Sequence, residues 1–228
     1  MNIPLAERMR PKTLKDYIGQ KHLVGEGAIL RSLIEKEMVP SMILWGSPGI
    51  GKTTLAQIIA NTVKRPFFTL SAINSGVKDV REVIEKAKKQ QFFGTNNPIL
   101  FIDEIHRFSK SQQDSLLGAV ENGTITLIGA TTENPSFEVI SALLSRCQVY
   151  TLEPLSKEEL LKLVEDAIKK DDFLSKRNIQ IEESDMLLRL SGGDARKLLN
   201  LLDLVVNNQQ GDVIINNEKV KSIAQQNI

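Results

Sequence analysis

The sequence predicts an α/β fold, a parallel sheet flanked by helices, followed by a small helical domain. Three observations carry this. Short apolar runs alternate with amphipathic stretches from about Ser41 to Leu152. A loop rich in glycine, Gly46-Ser47-Pro48-Gly49-Ile50-Gly51, joins one such run to a helix-compatible stretch. The pattern then changes at Glu153-Pro154, beyond which the periodicity is helical.

In chain order the apolar runs are Met42–Trp45, Pro66–Leu70, Ile99–Ile102, Thr126–Ala130 and Val149–Leu152. Short apolar runs bounded by turn signals are the mark of strands buried on both faces. Between them, Thr53–Val63, Val77–Gln91, Ser109–Glu121 and Ser136–Leu144 place apolar residues near helical spacing, as in Val80, Val83, Ile84 and Ala87. Strands alternating with helices give a parallel sheet covered on both sides. Beyond Pro154, Ser156 followed by Glu159 is a capping box opening a helix through Lys170. Met186–Leu190, Ala195–Val206 and Asn217–Gln226 also read as helices, and only Val213–Ile215 looks strand-like. The domains are therefore 1–153, α/β, and 154–228, helical.

The 228 residues suffice for one large or two small domains. With 41% hydrophobic and 25% charged residues the composition is that of a soluble globular protein. Formal net charge is +1, so any nucleic-acid or membrane contact must come from a local patch. The start, MNIPLAERMRPK, lacks the apolar core of a secretory signal, and no apolar run approaches membrane-spanning length. A cytoplasmic protein is expected. Cys147 is the only cysteine, which excludes an internal disulfide and leaves it a small buried apolar residue.

Glycine costs backbone entropy in an element interior, so a loop this rich in it does something that needs bare backbone. Gly46 through Thr53 fits G-x-x-x-x-G-K-[ST] in its required context of strand, loop and helix. The backbone N–H groups of Gly46, Ser47, Gly49, Ile50 and Gly51 (Pro48 has none and shapes the loop), with the helix start at Thr53-Thr54, then converge on phosphate oxygens. Lys52 reaches the β- and γ-phosphates, and the Thr53 hydroxyl ligates Mg²⁺. A second signal is Ile99–Ile102 running into Asp103-Glu104. Asp103 is placed to hold Mg²⁺ and Glu104 to polarise the attacking water. A water-polarising glutamate suits a hydrolase better than a nucleotide kinase. This is a P-loop NTPase reading with ATP and Mg²⁺ as cofactors.

With these residues the sequence resembles AAA+ ATPases over nearly its whole length. Arg10-Pro11 and Asp16-Tyr17-Ile18-Gly19-Gln20 are similar to the adenine-pocket segment of the clamp-loader branch. Leu127–Asn134 resembles the strand whose terminal polar residue, here Thr132, senses the γ-phosphate. Ser145-Arg146-Cys147 resembles the motif that inserts an arginine into the neighbouring subunit's ATP site. Gly192-Gly193-Asp194-Ala195-Arg196 resembles the second sensor, in which Arg196 from a helical lid contacts its own subunit's nucleotide. On spacing alone Arg146 and Arg196 read as surface or ion-paired residues; the resemblance assigns them to catalysis and binding.

Longer stretches, Asp103-Glu104-Ile105-His106-Arg107-Phe108, Gln112-Gln113-Asp114, Glu121–Ile125 and Ala130–Phe137, are similar to one subgroup. This is the replication-associated recombination protein A family (RarA, MgsA in bacteria), with the Werner-helicase-interacting ATPase as eukaryotic relative. The resemblance implies ATP hydrolysis in replication-fork maintenance, recombination and repair. It also implies partners: DNA at forks and ends without sequence reading, single-strand-binding protein, and other copies in a tetramer. A nucleoid-associated, cytoplasmic location follows with it. Family members are longer and carry a C-terminal helical oligomerisation region, whereas this sequence stops at Ile228. The expectation is thus an AAA+ core, with monomer and tetramer both open and hydrolysis slow. A clamp-loader subunit, a branch-migration motor and a nucleotide-gated interaction module remain as alternatives.

Other residues read more simply. His106 is a hydrogen-bonded structural histidine before it is a γ-phosphate contact, His22 has no partner signal, and Trp45 belongs to the sheet core. Arg81, Lys86, Lys88 and Lys89 give one helix a basic face that Asp79, Glu82 and Glu85 dilute, which is the pattern of a solvated face.

Overall fold

The computed structural model describes residues 3–71, 75–92 and 96–225. In chain order its elements begin α1 (Leu5–Arg8), α2 (Lys21–Val24), α3 (Ile29–Glu35), β1 (Met42–Trp45), α4 (Lys52–Thr62), β2 (Phe67–Ser71), α5 (Val77–Phe92) and β3 (Ile99–Asp103). They continue α6 (Lys110–Glu121), β4 (Thr126–Thr131), α7 (Pro135–Glu138), α8 (Ser141–Leu144), β5 (Gln148–Thr151) and α9 (Lys157–Lys170). Last come β6 (Ile179–Ile181), α10 (Asp185–Ser191), α11 (Ala195–Asn207), β7 (Val213–Ile215) and α12 (Asn217–Gln225). Two units result. One holds Lys12–Ser47 and Lys52–Glu153; the other holds the described residues up to Pro11, the segment Pro48–Gly51, and those from Pro154 onward. The sequence reading ran its first domain unbroken from residue 1 to 153. It ended the last helix at Gln226, which with Ile228 lies outside the described residues.

In the first unit the strands lie in the order β2-β3-β4-β1-β5, and every pairing is parallel. Parallel neighbours need crossovers, which explains why helices separate the strands in sequence. The central strands are apolar throughout because both faces are covered: Ile99–Ile102 and Thr126–Thr131 are buried along their lengths. Edge strand β5 is the most exposed of the five. Val80 and Ile84 of α5 and Leu116 of α6 pack with Ile43, Leu100, Ile102 and Leu127 of the sheet. Each such burial contributes about 1.5–3 kcal/mol. Cys147 packs against this cluster, and burial pushes its thiol up to about 11. Trp45, read as core, is only partly buried, since it ends β1 where the chain leaves the sheet.

The helix expected over Ser136–Leu144 is instead two four-residue helices, α7 and α8, separated by the extended residues Val139 and Ile140. The cause is the side chain of Gln113, buried on α6. Its Nε2 donates to the Glu138 carbonyl at 3.0 Å, and its Oε1 accepts from the Ile140 amide at 2.9 Å. Both backbone groups at the break are thereby satisfied without a continuous helix. Helices α1, α2 and α3 escaped the sequence reading because four to seven residues hold too little periodicity.

In the second unit the capping box at Ser156 is present: its Oγ accepts from the Glu159 amide at 3.2 Å, and Glu159 Oε2 accepts from the Ser156 amide at 2.9 Å. Leu160 and Val164 of α9, Leu187 of α10 and Leu198, Leu202 and Val205 of α11 share one core with Leu5. Strand β6, absent from the sequence reading, pairs in parallel with β7. Among the described residues no helix is long and apolar enough to cross a membrane.

The same unit is tied at its N-terminal end by Arg8. Its guanidinium donates to both oxygens of the nearly inaccessible Asp171 carboxylate, at 2.7 and 3.1 Å, and lies 5.1 Å from the Phe173 ring. Burial raises the Asp171 carboxyl, but hydrogen bonds from Arg8 and the Leu174 and Phe173 amides outweigh it, leaving the group below its ordinary range. A carboxyl lowered on folding stabilises above its unfolded pKa of about 4 and loses that contribution as pH falls through the folded value. Asp171→Asn is expected to destabilise the chain by about 1–3 kcal/mol at neutral pH. Thermal melts across pH should show that deficit closing in acid.

Candidate functional site

Three loops meet at one end of the sheet because parallel strands all deliver their C-termini to the same edge. Strand β1 ends at Trp45 and continues into Gly46, whose amide donates to the Thr131 carbonyl of β4 at 3.2 Å. The chain then passes through the glycine-rich loop into α4, whose first residue is Lys52. Lys52 is 7% exposed, and its Nζ donates to the carbonyls of Gly46 at 2.6 Å and Ser47 at 2.8 Å. An ammonium so buried needs such partners. The loop carbonyls thus hold the lysine beside the loop. Thr53 and Thr54 follow, both partly buried at the helix start.

Asp103 ends β3, one strand from β4, and is partly exposed. Glu104 follows in the left-handed region, at φ 53° and ψ 49°. That conformation is uncommon for any residue but glycine, Asn or Asp, and its cost persists only where the surroundings over-determine it. Here Ile105, fully buried, anchors the turn against Gly129 of β4. A Cβ on Gly129 would lie 2.9 Å from Ile105 Cδ1 and 2.8 Å from Ile43 Cδ1, so a side chain there would push both isoleucine methyls aside. Thr132, just past β4, brings its hydroxyl to 3.4 Å from Glu104 Oε2, while His106 Nε2 lies 3.3 Å from the same oxygen.

A cation at this edge would have one carboxylate, Asp103, and one hydroxyl, Thr53, as its protein donors. That hard-oxygen pair suits Mg²⁺, which takes one or two protein ligands and completes its shell with water and phosphate oxygens. Among the described residues there is no cluster of three or more His, Cys, Asp or Glu of the kind that cages a metal alone.

Elsewhere in the sheet unit Tyr17 and Ile18 are partly buried, and burial pushes the Tyr17 phenol well above its ordinary value. Arg146, at the turn after α8, forms an ion pair with Glu121 of α6 and donates to the Ala142 carbonyl at 2.5 Å. Its own chain therefore occupies it. His22, for which the sequence offered no partner, sits 3.0 Å from the Thr151 carbonyl. Arg81, Lys86, Lys88 and Lys89 are exposed along α5, Lys88 paired with Glu85 at 2.8 Å.

In the second unit the loop segment Pro48–Gly51 packs on the start of α11. The Ala195 amide donates to the Gly49 carbonyl at 3.1 Å. Asp194 caps the helix, accepting from the Arg196 and Lys197 amides at 2.8 and 3.0 Å. Gly49 has φ +70°, and a Cβ there would fall 2.0 Å from the Asp194 carboxylate. In the sequence Asp194 stands only within the stretch resembling the second sensor, with no role of its own. Arg196 is exposed in the first turn of α11. Arg10, preceding Pro11, donates to Glu7 at 2.5–3.1 Å. That hydrogen bonding, with a smaller pull from Arg196, holds the Glu7 carboxyl below its usual range against the effect of burial. Arg10 and Arg196 therefore lie near one carboxylate.

Residues 42–155 match the family described as "ATPase family associated with various cellular activities (AAA)". Two curated relatives are similar over most of the chain. The replication-associated recombination protein A of Coxiella burnetii is 49% identical over 206 residues, 89% of this chain and 46% of the relative. The ATPase WRNIP1 of Dictyostelium discoideum is 49% identical over 205 residues, 89% of this chain and 23% of the relative. The chain thus spans about half or less of their length. Among solved structures, the Thermotoga maritima RuvB Holliday junction branch migration motor superposes with a TM-score of 0.77 at 27% identity, covering 96% of this chain and 73% of that one. Because the matched residues 42–155 contain the glycine-rich loop, both acids of β3 and the polar end of β4, the chain belongs to the AAA ATPase family.

Proposed function

We propose that the chain binds ATP with Mg²⁺ and hydrolyses it, as the ATPase core of a protein acting at replication forks, in recombination and in repair. The observation that carries the reading is Lys52, held ready by the Gly46 and Ser47 carbonyls at the sheet edge where Glu104 and Thr132 meet. On triphosphate binding the ammonium exchanges these carbonyls for β- and γ-phosphate oxygens, as its Coulomb energy favours. Thr53 and Asp103 would hold Mg²⁺, which would supply positive charge against the phosphates. Glu104 accepts a proton from the attacking water, and Thr132 senses the γ-phosphate. Tyr17, Ile18, Arg10 and Pro11 serve the adenine, and Arg196 the phosphates.

Similarity near 49% to proteins named for replication-associated recombination supports the fork-maintenance role over that of a branch-migration motor, where identity is 27%. By the same similarity the partners are DNA, single-strand-binding protein and further copies of the chain in a tetramer, within the cytoplasm at the nucleoid. Arg146 supplies the trans cation to a neighbour. Its pairing with Glu121 supports slow turnover until a neighbour's phosphates compete for it.

Lys52→Ala is expected to weaken ATP binding by about 100-fold or more, from the loss of charge-assisted hydrogen bonds, as read by titration with a fluorescent nucleotide. Glu104→Gln should retain ATP yet lose about 10²–10⁴ in turnover; wild-type turnover in that variant would overthrow the base assignment. Turnover per chain should climb with protein concentration, since a trans arginine contributes about 10³–10⁵ in related NTPases. Brisk, concentration-independent hydrolysis by a monomer defined by light scattering would reject the trans role. DNA affinity should fall steeply from low to high salt as counterions are released; fluorescence anisotropy of a labelled fork at several salt concentrations tests this.

A further inference from the structure

The sequence left His106 as a structural histidine, but its ring bridges two functional strands. Nδ1 lies 3.0 Å from the Thr131 hydroxyl at the end of β4, and Nε2 lies 3.3 Å from Glu104 Oε2 after β3. Thr131 is fully buried, and its oxygen also accepts from the Glu133 amide at 3.0 Å.

Counting protons orders this chain. The Thr131 hydroxyl has one hydrogen and two acceptors within reach, His106 Nδ1 at 3.0 Å and the Glu133 carbonyl at 3.2 Å. If the carbonyl takes it, a neutral ring must put its hydrogen on Nδ1 and turn a lone pair on Nε2 toward the carboxylate. If Nδ1 takes it, the ring's hydrogen sits on Nε2 and donates to Glu104. Only the second assignment pairs both ring nitrogens of a neutral imidazole, and it uses the shorter distance. The hydrogen bonds then run in one direction, from the Glu133 amide to Thr131, to His106, to Glu104.

The end of that chain is selective. His106 and Thr132 both contact Oε2 of Glu104, and among the described residues no hydrogen bond or ion pair falls on Oε1. A carboxylate gripped by one oxygen presents the other in a defined direction. The grip matters more here because Glu104 sits in a left-handed turn, with no regular helix or strand of its own to hold its side chain.

We propose that His106 is a positioning residue for hydrolysis: backed by Thr131, it holds Oε2 of Glu104 so that Oε1 faces the attacking water. This rests on the reading of Glu104 as the base. It also makes the buried end of β4, next to Thr132, part of the apparatus that aims the base.

Two amide variants separate positioning from mere support. The Asn amide reaches the place of Nδ1 but not that of Nε2, whereas the Gln amide extends to Nε2 and can donate to Glu104. Single-turnover hydrolysis, with the chain in excess over labelled ATP, should fall about 10- to 100-fold in His106→Asn, the scale of a misplaced reacting group. His106→Gln should recover most of that loss. ATP affinity and melting temperature should match wild type in both. In a Glu104→Gln background, His106→Asn should add no further loss. Wild-type turnover in His106→Asn would overturn the proposal. So would a loss accompanied by parallel drops in ATP affinity and melting temperature, or a loss that adds fully to that of Glu104→Gln. If Glu104→Gln alone turns over like wild type, the base assignment fails and the positioning role with it. An inactive Glu104→Gln beside a fully active His106→Asn sinks only the latter.

Discussion

A buried ammonium is the constraint around which the sheet edge is built. Lys52 is almost inaccessible, and a charge there is tolerable only where polar groups surround it. The Gly46 and Ser47 carbonyls meet that need, so the lysine and its own loop hold each other. Gly46 in turn is pinned through its amide to the end of β4. Preorganisation of this kind lowers what binding would otherwise spend on ordering.

The same strand organises the acid side of the edge. β4 supplies Gly129, against which Ile105 seats, then Thr131, which backs His106, and then Thr132 beside Glu104. The unfavourable backbone of Glu104 persists because buried packing on one side and hydrogen bonds on the other leave it no alternative. Strain is here located at the acid that directly follows β3. In the second unit, contact between Gly49 and the start of α11 is a comparable economy: a capping carboxylate fills the space that any side chain on Gly49 would need.

Arg146 is held by contacts within its own chain. Its charge is taken up by Glu121 and its N–H by the Ala142 carbonyl, contacts that are partly solvent-exposed and therefore weak.

Much of this was legible in the sequence. Five apolar runs correspond to five strands, the central ones apolar because both faces are covered, and the glycine-rich loop stood out because G-x-x-x-x-G-K-[ST] is a fixed spacing between strand and helix. The capping box at Ser156 was equally local. What failed to show were features made by distant residues. Gln113 divides α7 from α8 by bonding both sides of the break, β6 exists only through its pairing with β7, and His106 acquires a role only when β4 brings Thr131 beside it. Periodicity and short motifs report interactions within a few residues of the chain, so the sequence alone determined the five sheet strands, the longer helices and the glycine-rich loop motif. Contacts between residues far apart along the chain are settled by packing, and so only the tertiary structure decided which oxygen of Glu104 is held and by what.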